Sequence, residues 1–154
     1  MTQAGPAEIY AKHADELVRF ATVLVGPAAA EDVVAEAVIR AFASPAWVSV
    51  AQPRAYLFRA TLNQARQVGR ADRRPVRREL FTAGSVAGAV DGPGVRIEVL
   101  DAMRRLTVRQ RAVVFLTYWD DLEAEDVAAA LGISTRTVQR ELTVARRRLE
   151  ALLR

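Results

Sequence analysis

Residues 124–142, AEDVAAALGISTRTVQREL, carry the pattern that decides the fold. Val127, Ala128, Leu131, Ile133, Val138 and Leu142 fall where two short helices meeting at a tight turn need apolar groups. Ala128 is small enough for the helices to approach closely, and Gly132 supplies the left-handed backbone that the turn demands. Ser134 is placed to cap the second helix. The spacing therefore predicts a helix-turn-helix. Its second helix presents Thr135, Arg136, Gln139 and Arg140 outward, and Arg146, Arg147 and Arg148 follow them. Gln and Arg pair bidentately with adenine and guanine edges in a major groove, whereas further arginines suit phosphates. An ordinary helical hairpin with a charged face fits the same pattern.

Helical spacing extends upstream. Thr107 is the expected N-cap of a helix from Val108 to about Trp119, with Val113, Val114, Leu116 and Thr117 on its buried side. Before it, Val99, Leu100, Met103 and Leu106 mark a helix over Val95–Leu106. Residues 75–94 scatter Pro75, Gly84, Gly88, Gly92, Pro93 and Gly94 among small residues without a period, which predicts a flexible linker. A short helix around Arg78–Thr82 remains open within it.

The first half is also helical by pattern. Ile9, His13, Leu17, Phe20 and Leu24 place an amphipathic helix over residues 7–25, stopped by Gly26-Pro27. A second helix runs from about Ala28 to Ala43, apolar through Val34, Ala37, Val38, Ala41 and Phe42, and charged through Glu31, Asp32, Glu36 and Arg40. Residues 44–52 read as a loop holding Trp47, a ring that can anchor the loop or contact a base. Pro53 then suits the first position of a third helix reaching about Ala71. The expectation is an all-α chain of two small helical domains, 7–74 and 95–154, joined by the linker at 75–94, with the helix-turn-helix in the second. Each domain is expected to bury its own modest core, with partners setting their relative orientation.

Charge is uneven. Residues 53–78 hold eight arginines against Asp72, residues 1–52 hold six acids and three bases, and residues 79–154 hold eleven of each. The positive charge of the chain is thus concentrated in one mostly helical segment. Tyr56, Arg59, Asn63, Arg66 and Arg70 recur at three and four and share one stripe, while Leu57, Ala60, Ala65 and Val68 lie nearer the opposite side. An aromatic ring beside amide and guanidinium groups can stack a base and grip its backbone, although a solvated arginine face has the same spacing.

Composition excludes several classes of function. The 154 residues include no cysteine and one histidine, His13, so a disulfide, a thiolate metal site or a histidine-based catalytic pair is not expected. The acids Asp120, Asp121, Glu123, Glu125 and Asp126 lack the spacing of a calcium loop, and the last three suit a helix N-terminus. No nucleophile–base pair or phosphate-cradling glycine loop is present, so no enzyme, cofactor or metal is expected. No apolar run approaches a membrane span, and the first residues lack the pattern of a signal peptide, which points to a cytoplasmic protein without membrane insertion.

The order of these parts resembles a known family. Residues 30–42, AEDVVAEAVIRAF, are similar to the polymerase-binding helix of the sigma-70 family. Residues 53–63, PRAYLFRATLN, resemble its −10 promoter helix, and residues 106–114 with 127–149 resemble its −35-binding domain. Recognition of only the second and fourth conserved regions points to the extracytoplasmic-function (ECF) group. The resemblance implies core RNA polymerase as partner, through the β′ clamp helices and the β subunit, with Glu31, Asp32, Glu36 and Arg40 as candidate contacts. It implies promoter DNA as ligand: Tyr56, Arg59, Asn63, Arg66, Arg70 and the loop around Trp47 for the −10 element, and Thr135, Arg136, Gln139, Arg140, Arg146 and Arg147 for the −35 element. An anti-sigma factor is a further implied partner. The chain departs from the family at Glu123, where a capping Ser or Thr is usual, at Glu141 and Val144, where a base is frequent, and at Gln139-Arg140 in place of Lys-Ser. Two other readings remain open on the residues: a stand-alone helix-turn-helix regulator of duplex DNA, and a sigma-like decoy that binds an anti-sigma factor.

Overall fold

The structure is a computed structural model, and it describes residues 4–71 and 101–152. The expected linker and the first half of the expected helix Val95–Leu106 lie outside the described residues, as does the arginine cluster after Asp72; residues 101–103 of that helix are helical. Every regular element among the described residues is helical. In chain order they are α1 (Pro6–Val25), α2 (Pro27–Ala43), a 3-10 turn (Pro45–Ser49), α3 (Pro53–Ala71), α4 (Val108–Tyr118), α5 (Ala124–Leu131) and α6 (Thr135–Leu152).

Local chemistry explains the boundaries. Gly26, at φ 89°, ends α1 and leads directly into α2, whose first residue is a proline with no N–H to leave unpaired. Thr107 and Gln110 close a reciprocal capping box at the start of α4, each side chain bonded to the other's backbone N–H at 3.1 Å. Gly132 adopts φ 70° and ψ 34° between α5 and α6, and the Ser134 hydroxyl accepts from the Thr137 N–H at 3.1 Å. Glu123 stands at the N-cap of α5 without a side-chain cap bond. The 44–52 segment is more ordered than a loop. Ser44 caps the 3-10 turn, and Trp47 packs edge-on against Phe42 and Tyr56 at 4.7 and 5.7 Å.

The N-terminal helices α1–α3 pack pairwise into a three-helix bundle, and α4 and α5 lie against its α1 and α3. The core is continuous across the seam. Phe20 of α1 meets Phe58 of α3 at 4.8 Å and Phe115 of α4 at 5.4 Å between ring centroids, and all three rings are buried. The two helical domains that the sequence predicts therefore meet along a shared apolar contact. The physical reason lies in α4, whose residues Ala112 to Leu116 are all buried. A helix covered on every side has neighbours on both, here α6 of its own half and α1 of the other. Phe115 therefore joins the core beyond the four residues that the spacing placed there, while Thr117 is half-exposed.

Among the described residues the buried polar side chains Thr22, Thr61 and Gln110 are satisfied, whereas the buried Nε of Arg109 finds no hydrogen-bond partner. The hydroxyls of Thr22 and Thr61 donate to the carbonyls of Val18 and Leu57 at 2.7 and 2.8 Å. Gln110, 5% exposed, serves the capping box and accepts from Arg148 at 3.1 Å.

Candidate nucleic-acid interface

Three surfaces carry the residues singled out in the sequence. The first is the outer face of α6. Val138 and Ala145 are fully buried and fix the rotation of the helix, leaving Arg136, Gln139 and Arg140 exposed and Thr135 half-buried. Their side chains therefore stand on the side turned away from α4 and α5. Arg147 is exposed about two turns further on. Arg146 is tethered: its Nε donates to the Tyr118 hydroxyl at 2.6 Å, and its guanidinium lies 5.7 Å from that ring. Glu141 and Val144 are half-buried at the flank of this face.

The second surface is α3. Leu57, Phe58, Thr61, Leu62 and Ala65 are buried, which turns Arg59 and Asn63 outward and leaves Tyr56 and Arg66 half-exposed. Tyr56, Arg59 and Asn63 line a shallow cleft of about 260 Å³ together with Gln64, Gln67 and Arg40. Arg40 is braced across it, donating to Gln67 at 3.0 Å and to Glu36 at 3.2 Å. The Arg70 side chain lies outside the described residues. Trp47 approaches this surface through Tyr56, with its ring half-buried against its aromatic neighbours. Next to it Val48 is 85% exposed, an apolar tip that alternation and period gave no reason to single out.

The third surface is the outside of α2. Val33, Val34, Ala37, Val38 and Ala41 face the core, so Glu31, Asp32, Glu36 and Arg40 share the solvent side. Ile39 stands among them at 64% exposure. It is a large apolar group in an acidic frame, suited to a partner that presents both a basic and a greasy strip. The sequence pattern passed over it because a single Ile off the apolar face is common.

Charged groups cluster at the seam. Arg54, at the start of α3, is gripped by the Glu16 carboxylate, donates to Asp120 at 2.7 Å and covers the Phe58 ring at 4.6 Å. The Glu16 bond raises the Arg54 pKa further above its ordinary value, outweighing the effect of burial. Burial pushes the Glu16 carboxyl up, but the hydrogen bond and charge of Arg54 pull harder and hold it below its usual value. Asp120 goes the other way, raised by burial and by the neighbouring Glu16 charge against the pull of Arg54. His13 is lowered by burial, partly offset by Glu16 3.8 Å away. No group of His, Asp or Glu side chains suited to a metal ion occurs among the described residues, and no described helix is long and apolar enough to cross a membrane.

The fold and these surfaces define a class: an all-helical protein with an aromatic-arginine helix in its first half and a helix-turn-helix in its second. Residues 96–149 match the family described as Sigma-70, region 4. The RNA polymerase sigma-E factor of Streptomyces avermitilis is 34% identical over 140 residues, covering 88% of this chain and 77% of that protein. The ECF RNA polymerase sigma factor SigL of Mycobacterium tuberculosis is 34% identical over 158 residues, covering 94% and 86%. Among solved structures, CnrH in complex with the cytosolic domain of CnrY superposes with a TM-score of 0.65 at 28% identity, covering 96% of this chain and 86% of CnrH. The sigma factor RpoE of Bartonella quintana, crystallised with the anti-sigma factor NepR, shares the fold at a TM-score of 0.66. The chain belongs to the ECF group of the sigma-70 family of RNA polymerase sigma factors, which are not enzymes.

Proposed function

We propose that this chain is a promoter-specificity subunit that binds core RNA polymerase, recognises −10 and −35 elements and helps to open DNA for initiation. The observation that supports the reading is the presence, in one family member, of two differently built polar surfaces, each suited to a different form of DNA. The α6 face offers Arg136, Gln139 and Arg140, all exposed, to the edges of an intact duplex. The α3 face offers Tyr56, Arg59 and Asn63 beside the Trp47 turn, a stacking and backbone-gripping set suited to separated strands. Arg66 extends that face, and Arg70 continues its spacing in the sequence. Base capture costs a few kcal/mol, recovered by stacking and backbone contacts, so no nucleotide hydrolysis is required.

The α2 surface serves the polymerase. Glu31, Asp32 and Glu36 give it an acidic rim, Ile39 an apolar centre, and Arg40 links it to the −10 face. Residues 7–74 form the polymerase and −10 module, residues 95–154 the −35 module, and 75–94 the tether that lets both engage at once with a gain in effective concentration. The chain works in the cytoplasm with the transcribing enzyme, and an anti-sigma factor restrains it. The complexes of its structural relatives support that partner. Transcription with purified core polymerase on a library of genomic fragments tests the reading: a discrete set of promoters is expected only when the chain is added. A stand-alone regulator would bind DNA in the same reaction without directing any new transcript.

A further inference from the structure

One side chain of the α3 face is held by α2 in a single orientation. Gln67 is exposed near the end of α3, one turn beyond Asn63 on the same face, and it lines the cleft with Tyr56 and Gln64. Nη1 of Arg40, on α2, donates to its Oε1 at 3.0 Å, and Nε of the same guanidinium donates to Glu36 at 3.2 Å. A guanidinium can only donate, so the amide oxygen must be the atom that faces it. Glu36 in turn holds Arg40 back on α2. The oxygen of Gln67 is thus committed, and its two N–H donors are what the amide offers a ligand. Its place along the helix sets the form of that ligand. At 1.5 Å per residue Gln67 lies about 16 Å from Tyr56, a span of about five base steps, so DNA that is parted at Tyr56 can still be paired at Gln67.

We propose, on the assignment of α3 to −10 DNA made above, that Gln67 is a specificity-determining residue for the paired end of that element, held by Arg40 as a donor-only reader that selects guanine over adenine. An unrestrained glutamine reads adenine, because its oxygen accepts from N6 while its nitrogen donates to N7. With the oxygen turned to Arg40 that pairing is lost, and adenine sets its own N6 donor against the amide. Guanine presents N7 and O6, two acceptors that suit the two N–H groups. Arg40 is the positioning residue: it acts on the base through Gln67.

The full chain with core polymerase tests this on a promoter from the genomic transcription assay. Each base pair of the −10 region and its flanks is randomised in turn, and the transcripts are counted by sequencing. Wild type is expected to favour guanine over adenine at one pair by about fivefold or more, the lower end of what a bidentate contact contributes. Gln67→Ala and Gln67→Glu, at an exposed position, should level that preference and leave the other pairs unchanged; the carboxylate of the second can still bond Arg40 but has no donors. Arg40→Ala frees the amide and should turn the preference toward adenine. The ratio is internal to each reaction, so weaker docking of Arg40→Ala on polymerase does not alter it, and Gln67→Glu carries the test if that variant makes no transcript. A purely structural tie between α2 and α3 would lower the melting temperature of the variants and leave the ratio alone. That result, a wild-type preference for adenine, or a guanine preference that survives Gln67→Ala would each overturn the proposal. Wild type that directs no transcript overturns the functional reading itself, whereas wild type that initiates without a guanine preference dependent on Gln67 overturns only the role given to Gln67.

Discussion

Replacing Phe115 by alanine should destabilise the whole molecule, including the half that does not contain it. Phe115 is 1% exposed, its ring centroid lies 5.4 Å from that of Phe20 in α1, and it stacks on Trp119 at 5.9 Å. Truncating a fully buried Phe costs about 3–5 kcal/mol, because the transfer energy is lost and the surrounding core closes the cavity only in part. With a urea dependence of about 2 kcal/mol per M, the unfolding midpoint should fall by about 1.5–2.5 M. The two tryptophans make the assay discriminating, since Trp47 lies in the first half and Trp119 in the second. In a Trp119→Phe background the fluorescence of Trp47 alone follows the α1–α3 bundle. If the Phe20–Phe58–Phe115 cluster joins both halves in one cooperative unit, the Trp47 midpoint shifts with Phe115→Ala. A Trp47 midpoint that stays in place, while helicity of the second half is lost early, would refute the shared core.

Other perturbations bear on the surfaces. Arg136→Ala or Arg140→Ala should relax base choice at the −35 element by about 1–3 kcal/mol per lost bidentate contact, measured by competition among single-base variants. Arg147→Ala should instead weaken all sequences alike and reduce the slope of log affinity against log salt by about 1. Glu123→Ser, which supplies the missing N-cap oxygen to α5, should stabilise by about 1 kcal/mol and raise the melting temperature by about 2–4 °C. Ile39→Glu on the outside of α2 should impair polymerase binding while leaving the melting temperature unchanged, because that side chain is mostly exposed. The Glu16 carboxyl is held below its ordinary value of 4.5 in the folded chain. Its ionised form thus stabilises the fold above that value, and the contribution is lost as pH falls through the lower folded pKa. The stability gap between wild type and Glu16→Gln should accordingly be widest above pH 4.5 and close on acidification, as followed by urea titration at stepped pH.

The local features were legible because they are set by neighbours in sequence. Thr107 before Val108, Gly132 between two apolar periods, Ser134 before Thr135 and Pro53 at a helix start each declare a turn or cap through their own chemistry, and the structure builds each of them. The hydrogen bonds across the seam were not legible. Arg54 and Asp120 are 66 residues apart, Arg59 and Ala129 are 70, and Arg111 and Leu24 are 87. No helical period spans such distances. Arg54 counted in the sequence only as one charge of a basic run, and Asp120 only as the end of a helix. Phe115 was passed over for a related reason. A one-sided period cannot mark a helix that is covered on both sides. Trp47 showed the reverse limit: its isolation between Pro45 and Gln52 suggested a loop, whereas Phe42 and Tyr56 from the flanking helices seat it in an aromatic stack. The candidate faces of α3 and α6 followed from spacing alone, because burying Leu57, Ala65, Val138 and Ala145 leaves their arginines only one side to occupy.

The most direct test is association of the purified chain with core RNA polymerase across a range of ionic strengths, read by size-exclusion chromatography and by promoter-dependent transcription of the recovered complex. A one-to-one complex that initiates at promoters the core alone ignores is the predicted result. A chain that binds DNA through α6 yet never joins the polymerase at any salt concentration would contradict it.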